Sequence, residues 1–170
     1  MNVARPIAPV TLEEFEAMEK DERLTYELID GIVMMSPSPT RKHQRIANKI
    51  NFAFLKAFEA SDCEVLYELD LKFDGNVLKP DLALFCGKDA DLPEIVIEVL
   101  SPATRQHDLL VKPIYYRAMG VKEYWIIDPK LETITIHDFI SSASEGYGHG
   151  EIAQSFLYPE IKIRLDDLFA

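Results

Sequence analysis

The run Ile95-Val96-Ile97-Glu98-Val99-Leu100, closed by Ser101-Pro102, decides the fold. It is apolar at both alternating sets of positions, the pattern of a strand covered on both faces in an α/β sheet. Glu98 is the exception. An unpaired carboxylate in such a strand costs several kcal/mol or takes up a proton. A cation, a metal or a hydrogen-bond network should therefore offset it. Asp81, in Pro80-Asp81-Leu82-Ala83-Leu84-Phe85, poses the same problem. Taken singly, each is explained as well by a structural ion pair or a strand-end position. Together, two carboxylates on neighbouring strands make a hard-oxygen cradle suited to Mg²⁺.

Outward from this run the chain reads as α/β. Residues 77–85 form a strand with an irregular start at Pro80. The turn Asp74-Gly75-Asn76 joins it to residues 65–73, which alternate Val65, Tyr67, Leu69, Leu71 and Phe73. Before these, residues 39–60 carry Ile46, Ile50, Ala53, Ala57 and Phe58 at helical spacing, with Ser38 the expected N-cap and Pro39 the first helical residue. Residues 26–29 and 32–35 read as a hairpin around Asp30-Gly31, whose positive φ angles suit a type I′ turn. Thr11 caps a first helix through residue 20, with Glu13, Glu14 and Glu16 near its positive end.

Towards the C-terminus, residues 108–119 are helical and end at Gly120. Residues 123–127 and 133–139 read as strands, and residues 141–150 as a flexible loop on composition. A last strand near residues 152–156 precedes Asp166-Asp167-Leu168-Phe169. There is no internal repeat and no linker long enough to divide the chain. Residues 1–170 read as a single domain with an N-terminal helix and hairpin and a C-terminal strand extension.

Composition narrows the class. A chain of 170 residues that is 48% hydrophobic and 10% aromatic can bury a core. It offers no membrane-spanning apolar stretch and no signal-peptide core near its start, so a cytoplasmic globule is expected. Cys63 and Cys86 are too few for a disulfide framework and read as buried thiols. The net charge of −11 is uneven. Between Gly31 and Phe58 there is no acid, while Arg41, Lys42, Arg45, Lys49 and Lys56 contribute +5, which leaves −16 on the rest. Arg41, Arg45 and Lys49 recur every four residues along one side of a helix. That side is either a solvated face or a phosphate-facing stripe.

Several separated blocks carry a resemblance. Tyr26-Glu27-Leu28-Ile29-Asp30-Gly31, Lys79-Pro80-Asp81, Ile97-Glu98-Val99-Leu100-Ser101-Pro102, Asp108 with Lys112, and Gly120-Val121-Lys122-Glu123-Tyr124-Trp125-Ile126-Ile127-Asp128 resemble the signature of the Uma-two family. That family lies within the PD-(D/E)XK restriction-endonuclease-like nuclease superfamily, and the resemblance covers about residues 11–169. It implies a restriction-endonuclease-like core, α-β-β-β-α-β, with a mixed central β-sheet flanked by helices. It also implies a divalent-metal-dependent DNA endonuclease hydrolysing phosphodiester bonds. Asp81 matches the motif's Asp and Glu98 the first residue of its (D/E)XK segment, and the two would hold Mg²⁺ or Mn²⁺. The motif's Lys position is occupied by Leu100. Lys112 on the next helix matches the family's replacement and would orient or activate water. Glu27 matches an acidic position near the metal site.

Pro113 qualifies the reading of Lys112. It pushes the residue before it away from helical angles and removes a helix hydrogen bond, so the helix kinks there or starts anew. His43 shares a helix face with Ile46, Ala47 and Ile50, and is either a satisfied core histidine or a neighbour of the active site. Arg105 and His107 follow Ser101-Pro102, where Arg105 is a candidate phosphate contact. Asp108 reads as a helix N-cap or first-turn acid, and Tyr124 and Trp125 as core. Two further classes remain beside the nuclease. One is a catalytically silent nuclease-fold module binding nucleic acid or protein, and the other a basic helix facing an acidic partner. Cutting both strands of DNA is simplest with a two-fold pair of sites, which makes a homodimer an option. The acidic surplus predicts weak, salt-sensitive and metal-dependent DNA binding.

Overall fold

A computed structural model of the chain describes residues 8–59 and 61–170. The reading of residues 1–7, and the expected helix end at Ala60, lie outside them. The described chain opens with α1 (Leu12–Ala17), β1 (Leu24–Ile29), β2 (Ile32–Pro37) and α2 (Arg41–Ala57). Five strands follow: β3 (Cys63–Tyr67), β4 (Leu71–Phe73), β5 (Asn76–Leu78), β6 (Leu82–Cys86) and β7 (Ile95–Val99). A π-helical turn (His107–Val111) leads directly into α3 (Lys112–Met119) and then β8 (Glu123–Asp128). The rest is β9 (Thr133–Asp138), β10 (Ser144–Tyr147), β11 (Ile152–Gln154), β12 (Lys162–Arg164) and α4 (Leu165–Phe169).

The chain divides into two compact units. The first runs to Ser38 and adds Asp70–Lys79. Its antiparallel sheet has the order β2-β1-β5-β4. The β1–β2 turn adopts the expected geometry, with φ of 51° at Asp30 and 73° at Gly31. A side chain at Gly31 would place its Cβ 2.3 Å from Pro9 Cβ, so only glycine fits. Thr11 and Glu14 form a capping box at the start of α1. Phe15 of that helix packs on Tyr26, Leu28 and Val77.

The second unit comprises Pro39–Leu69 and Pro80–Ala170. Its six-stranded sheet has the order β10-β9-β8-β7-β6-β3. It is mixed: β7 pairs antiparallel with β6 and parallel with β8. Ile46, Ala47, Ile50 and Phe54 of α2 pack on Ile95, Ile97 and Val99 of β7 and on Trp125 and Ile127 of β8. Residues 95, 97 and 99 thus face α2, and alternation turns Glu98 to the opposite face. The sequence α2, β3, β6, β7, α3, β8 is the expected core order.

Four expectations are corrected. The apolar alternations at residues 65–73 and 77–85 are each divided between the two sheets. Glu68 adopts a φ of 48°, which breaks the pleat after β3, and Pro80 has no N–H to give a ladder between β5 and β6. α2 is capped by Thr40, which accepts the His43 N–H, and not by Ser38. Ser38 instead donates both its N–H and its hydroxyl to the Arg23 carbonyl. Residues 144–147 are a strand pairing with β9, and their polar composition reflects an exposed edge. Cys63 and Cys86 lie opposite each other in β3 and β6 and form a disulfide, their Cα atoms 4.0 Å apart.

Candidate active site

Glu98 is offset by groups from the segment that follows it. Its Oε1 accepts a hydrogen bond from Lys112 Nζ at 3.0 Å and another from the Tyr116 hydroxyl at 2.8 Å. The same ammonium lies 3.0 Å from Asp108 Oδ1. All four residues are buried. Asp108, Lys112 and Tyr116 are four residues apart, so they share a helix face. The backbone carbonyl of Asp108 is held in turn by the Tyr124 hydroxyl.

The proline beside Lys112 shapes this arrangement. Pro113 has no N–H for the carbonyl four residues back, and its ring crowds that carbonyl. The preceding turn is widened into a π-helix, in which Lys112 N–H donates to His107 O. Lys112 nevertheless keeps right-handed helical angles, φ −56° and ψ −36°, and Pro113 occupies the first turn of α3. The new start at the proline therefore directs Lys112 inward to Glu98.

Asp81 stands one residue before β6. Its Oδ2 accepts the Val99 backbone N–H at 2.7 Å and lies 3.0 Å from His43 Nε2. Asp81 is thus anchored to the residue next to Glu98. Burial disfavours a charged His43. The hydrogen bond and charge of Asp81, the Val99 carbonyl and the Glu68 charge outweigh it and raise the imidazole pKa. His43 thus lies beside Asp81, with its side chain largely buried. Glu27 lies in the first unit, buried on β1, where its Oε1 accepts the Lys79 N–H at 2.8 Å.

No group of three or more His, Cys, Asp and Glu able to hold a metal occurs among the described residues. Asp81 and Glu98 are the two carboxylates that would hold Mg²⁺, an ion that commonly binds one or two carboxylates and completes its shell with water and substrate phosphate.

A model of the family Uma2, described as "Putative restriction endonuclease", matches residues 12–155. The chain belongs to the Uma2 (Uma-two) family. A curated relative, "Uncharacterized protein slr1290" of Synechocystis, is 26% identical over 114 residues, which are 61% of this chain and 60% of that protein. A crystal structure of "a putative nuclease belonging to DUF820" from Anabaena variabilis is similar with a TM-score of 0.81 at 22% identity, over 95% of this chain and 98% of that one. The fold is that of this nuclease-like neighbour.

The remaining site candidates of this Uma2 chain are placed as follows. Leu100 is buried, and its N–H donates to Ile127 O. Arg105 is ion-paired with the buried Asp128 at 2.7 Å. Burial pushes the Asp128 carboxyl up, but Arg105 and the N–H groups of Leu131 and Lys130 outweigh it and hold its pKa below the usual value. Arg41 and Arg45 are exposed on α2. Lys49 is directed elsewhere: its Nζ donates to the carbonyls of Asp167, Leu168 and Ala170 at the end of α4. Sequence reasoning missed Tyr116 as a partner of Glu98. The only signal was its place eight residues after Asp108, on the same helix face.

Proposed function

We propose that this protein is a divalent-metal-dependent DNA endonuclease hydrolysing phosphodiester bonds. The observation that carries the reading is Glu98, buried in the central strand and hydrogen-bonded to Lys112, with Asp81 accepting the N–H of the next residue, Val99. Asp81 and Glu98 would hold Mg²⁺ or Mn²⁺, which when bound neutralises phosphate oxygens and makes water more acidic. The Val99 N–H and His43 orient the Asp81 carboxylate, and Tyr116 orients that of Glu98. Lys112, held 3.0 Å from both Glu98 and Asp108, would orient the attacking water or stabilise charge developing on the phosphate. Arg41, Arg45 and Arg105 contribute phosphate contacts, and the protein acts as a homodimer where both strands are cut.

The test is nicking of supercoiled plasmid in Mg²⁺ or Mn²⁺. Asp81→Ala combined with Glu98→Ala is expected to abolish it; cleavage that survives both changes points to another site. The second reading is a silent nuclease-fold module, favoured by Leu100 in the motif and by the two donors already on Glu98. Calorimetry separates the two, since a silent module shows no metal binding that depends on Asp81 and Glu98.

A further inference from the structure

The exposed face of α2 is one wall of a groove of about 1150 Å³ whose other wall comes from β12 and α4. Asp81, Glu98 and Lys112 are not among its lining residues, so it is separate from the carboxylates. Arg41, Arg45 and Lys56 enter it from α2, and Lys162 and Arg164 from β12, against two acids, Glu160 and Asp167. Of these acids, Asp167 lies 4.0 Å from Arg164. Lys49 holds the end of α4 as a wall and is not a cation left for a ligand. The deeper lining is apolar, with Ala53, Ala57, Ile163 and Leu168. At the groove stands Phe52, a ring left 70% exposed.

Cations gathered in this way on a chain of net charge −11 call for an anionic occupant. The ring narrows the class. A groove that combines cations with apolar surface and an exposed aromatic suits a single nucleic-acid strand, whose phosphates follow the cations while its bases stack on the ring. A duplex keeps its base faces inside and would leave Phe52 unused. An acidic peptide would neutralise the cations but covers the ring only where it also carries an aromatic or proline side chain, whereas a nucleic-acid strand presents a flat base at every residue.

We propose that this groove binds a single nucleic-acid strand, with Phe52 as the stacking platform and Arg41, Arg45, Lys56 and Lys162 as phosphate contacts. The inference rests on nucleic acid as the substrate class and not on cleavage. It is tested by fluorescence anisotropy of a labelled oligo(dT) of about 15 nucleotides, at low salt and in EDTA. Phe52→Ala is expected to weaken binding by about tenfold or more. Phe52→Trp should keep the affinity, and its emission should be quenched on stacking. Lys56→Ala with Lys162→Ala should flatten the slope of log affinity against log salt by about 1.4, two single-strand phosphate contacts. All three positions are exposed, and unchanged circular dichroism and melting separate lost contacts from lost folding.

Asp81→Ala with Glu98→Ala should leave this metal-free binding unchanged while removing any cleavage, so the two readings fail separately. No oligo(dT) binding, equal affinity in Phe52→Ala, or tighter binding of a duplex of the same length overturns the proposal. Equally effective displacement by polyglutamate, or self-association through this face that Phe52→Ala abolishes, overturns it as well.

Discussion

A carboxylate in the middle of an apolar strand must be offset, and Glu98 is offset by one ammonium and one hydroxyl, with Asp108 sharing the ammonium. The ammonium matters more, because it lies between two buried carboxylates. Lys112→Met would leave both without that charge and is expected to lower stability by about 3–5 kcal/mol. Tyr116→Phe removes one hydrogen bond to a charged group and should cost about 1.5–3 kcal/mol. Urea unfolding measures both, and a Lys112→Met loss below that of Tyr116→Phe would show that the ion pairs do not hold the cluster. Asp81, Glu98 and Lys112 were legible in the sequence, since charge stood out against apolar neighbours or matched a motif. His43 was not: its spacing favoured a core face, and only the approach of α2 to Asp81 shows which group it meets.

At the scale of elements, the turn before α3 determines where Lys112 points. Pro113 cannot donate to the carbonyl four residues back, and the π-helical turn at residues 107–111 accommodates that loss. Pro113→Ala restores an N–H and permits an ordinary α-helical turn, which would rotate Asp108 relative to Lys112 and Tyr116. The proposed plasmid nicking is expected to fall by about tenfold or more, since small misplacements of a catalytic group have that effect, with helix content by circular dichroism preserved. Unchanged nicking would show that Lys112 does not depend on the π turn. The sequence placed this proline correctly as a disturbance but left the outcome open, because relief by a kink and by a new helix start have the same local pattern. The strand alternations at residues 65–73 and 77–85 were similarly ambiguous. Glu68 and Pro80 break them between sheets, and periodicity does not record which sheet a strand joins.

For the whole molecule, the relevant quantity is the distribution of charge. A body of −16 repels DNA, while the cations on α2 and β12 attract it locally. Duplex binding in Mg²⁺ is therefore expected to be weak and to fall by about tenfold or more between 50 and 200 mM salt, as a few phosphate contacts require. A filter-binding salt titration checks this, and salt-independent tight binding would contradict it. Local patterns along the chain were enough to establish the core order of helices and strands, the Asp30-Gly31 turn and the two awkward carboxylates. Apolar period, turn chemistry and charge in an apolar run are properties of neighbouring residues. Tertiary packing alone paired Glu98 with Tyr116, brought His43 to Asp81, joined Cys63 to Cys86 and turned Lys49 towards the end of α4. Each of these needs segments distant along the chain to meet, and the energy that selects the meeting lies in burial and in satisfied polar groups, which local sequence does not encode.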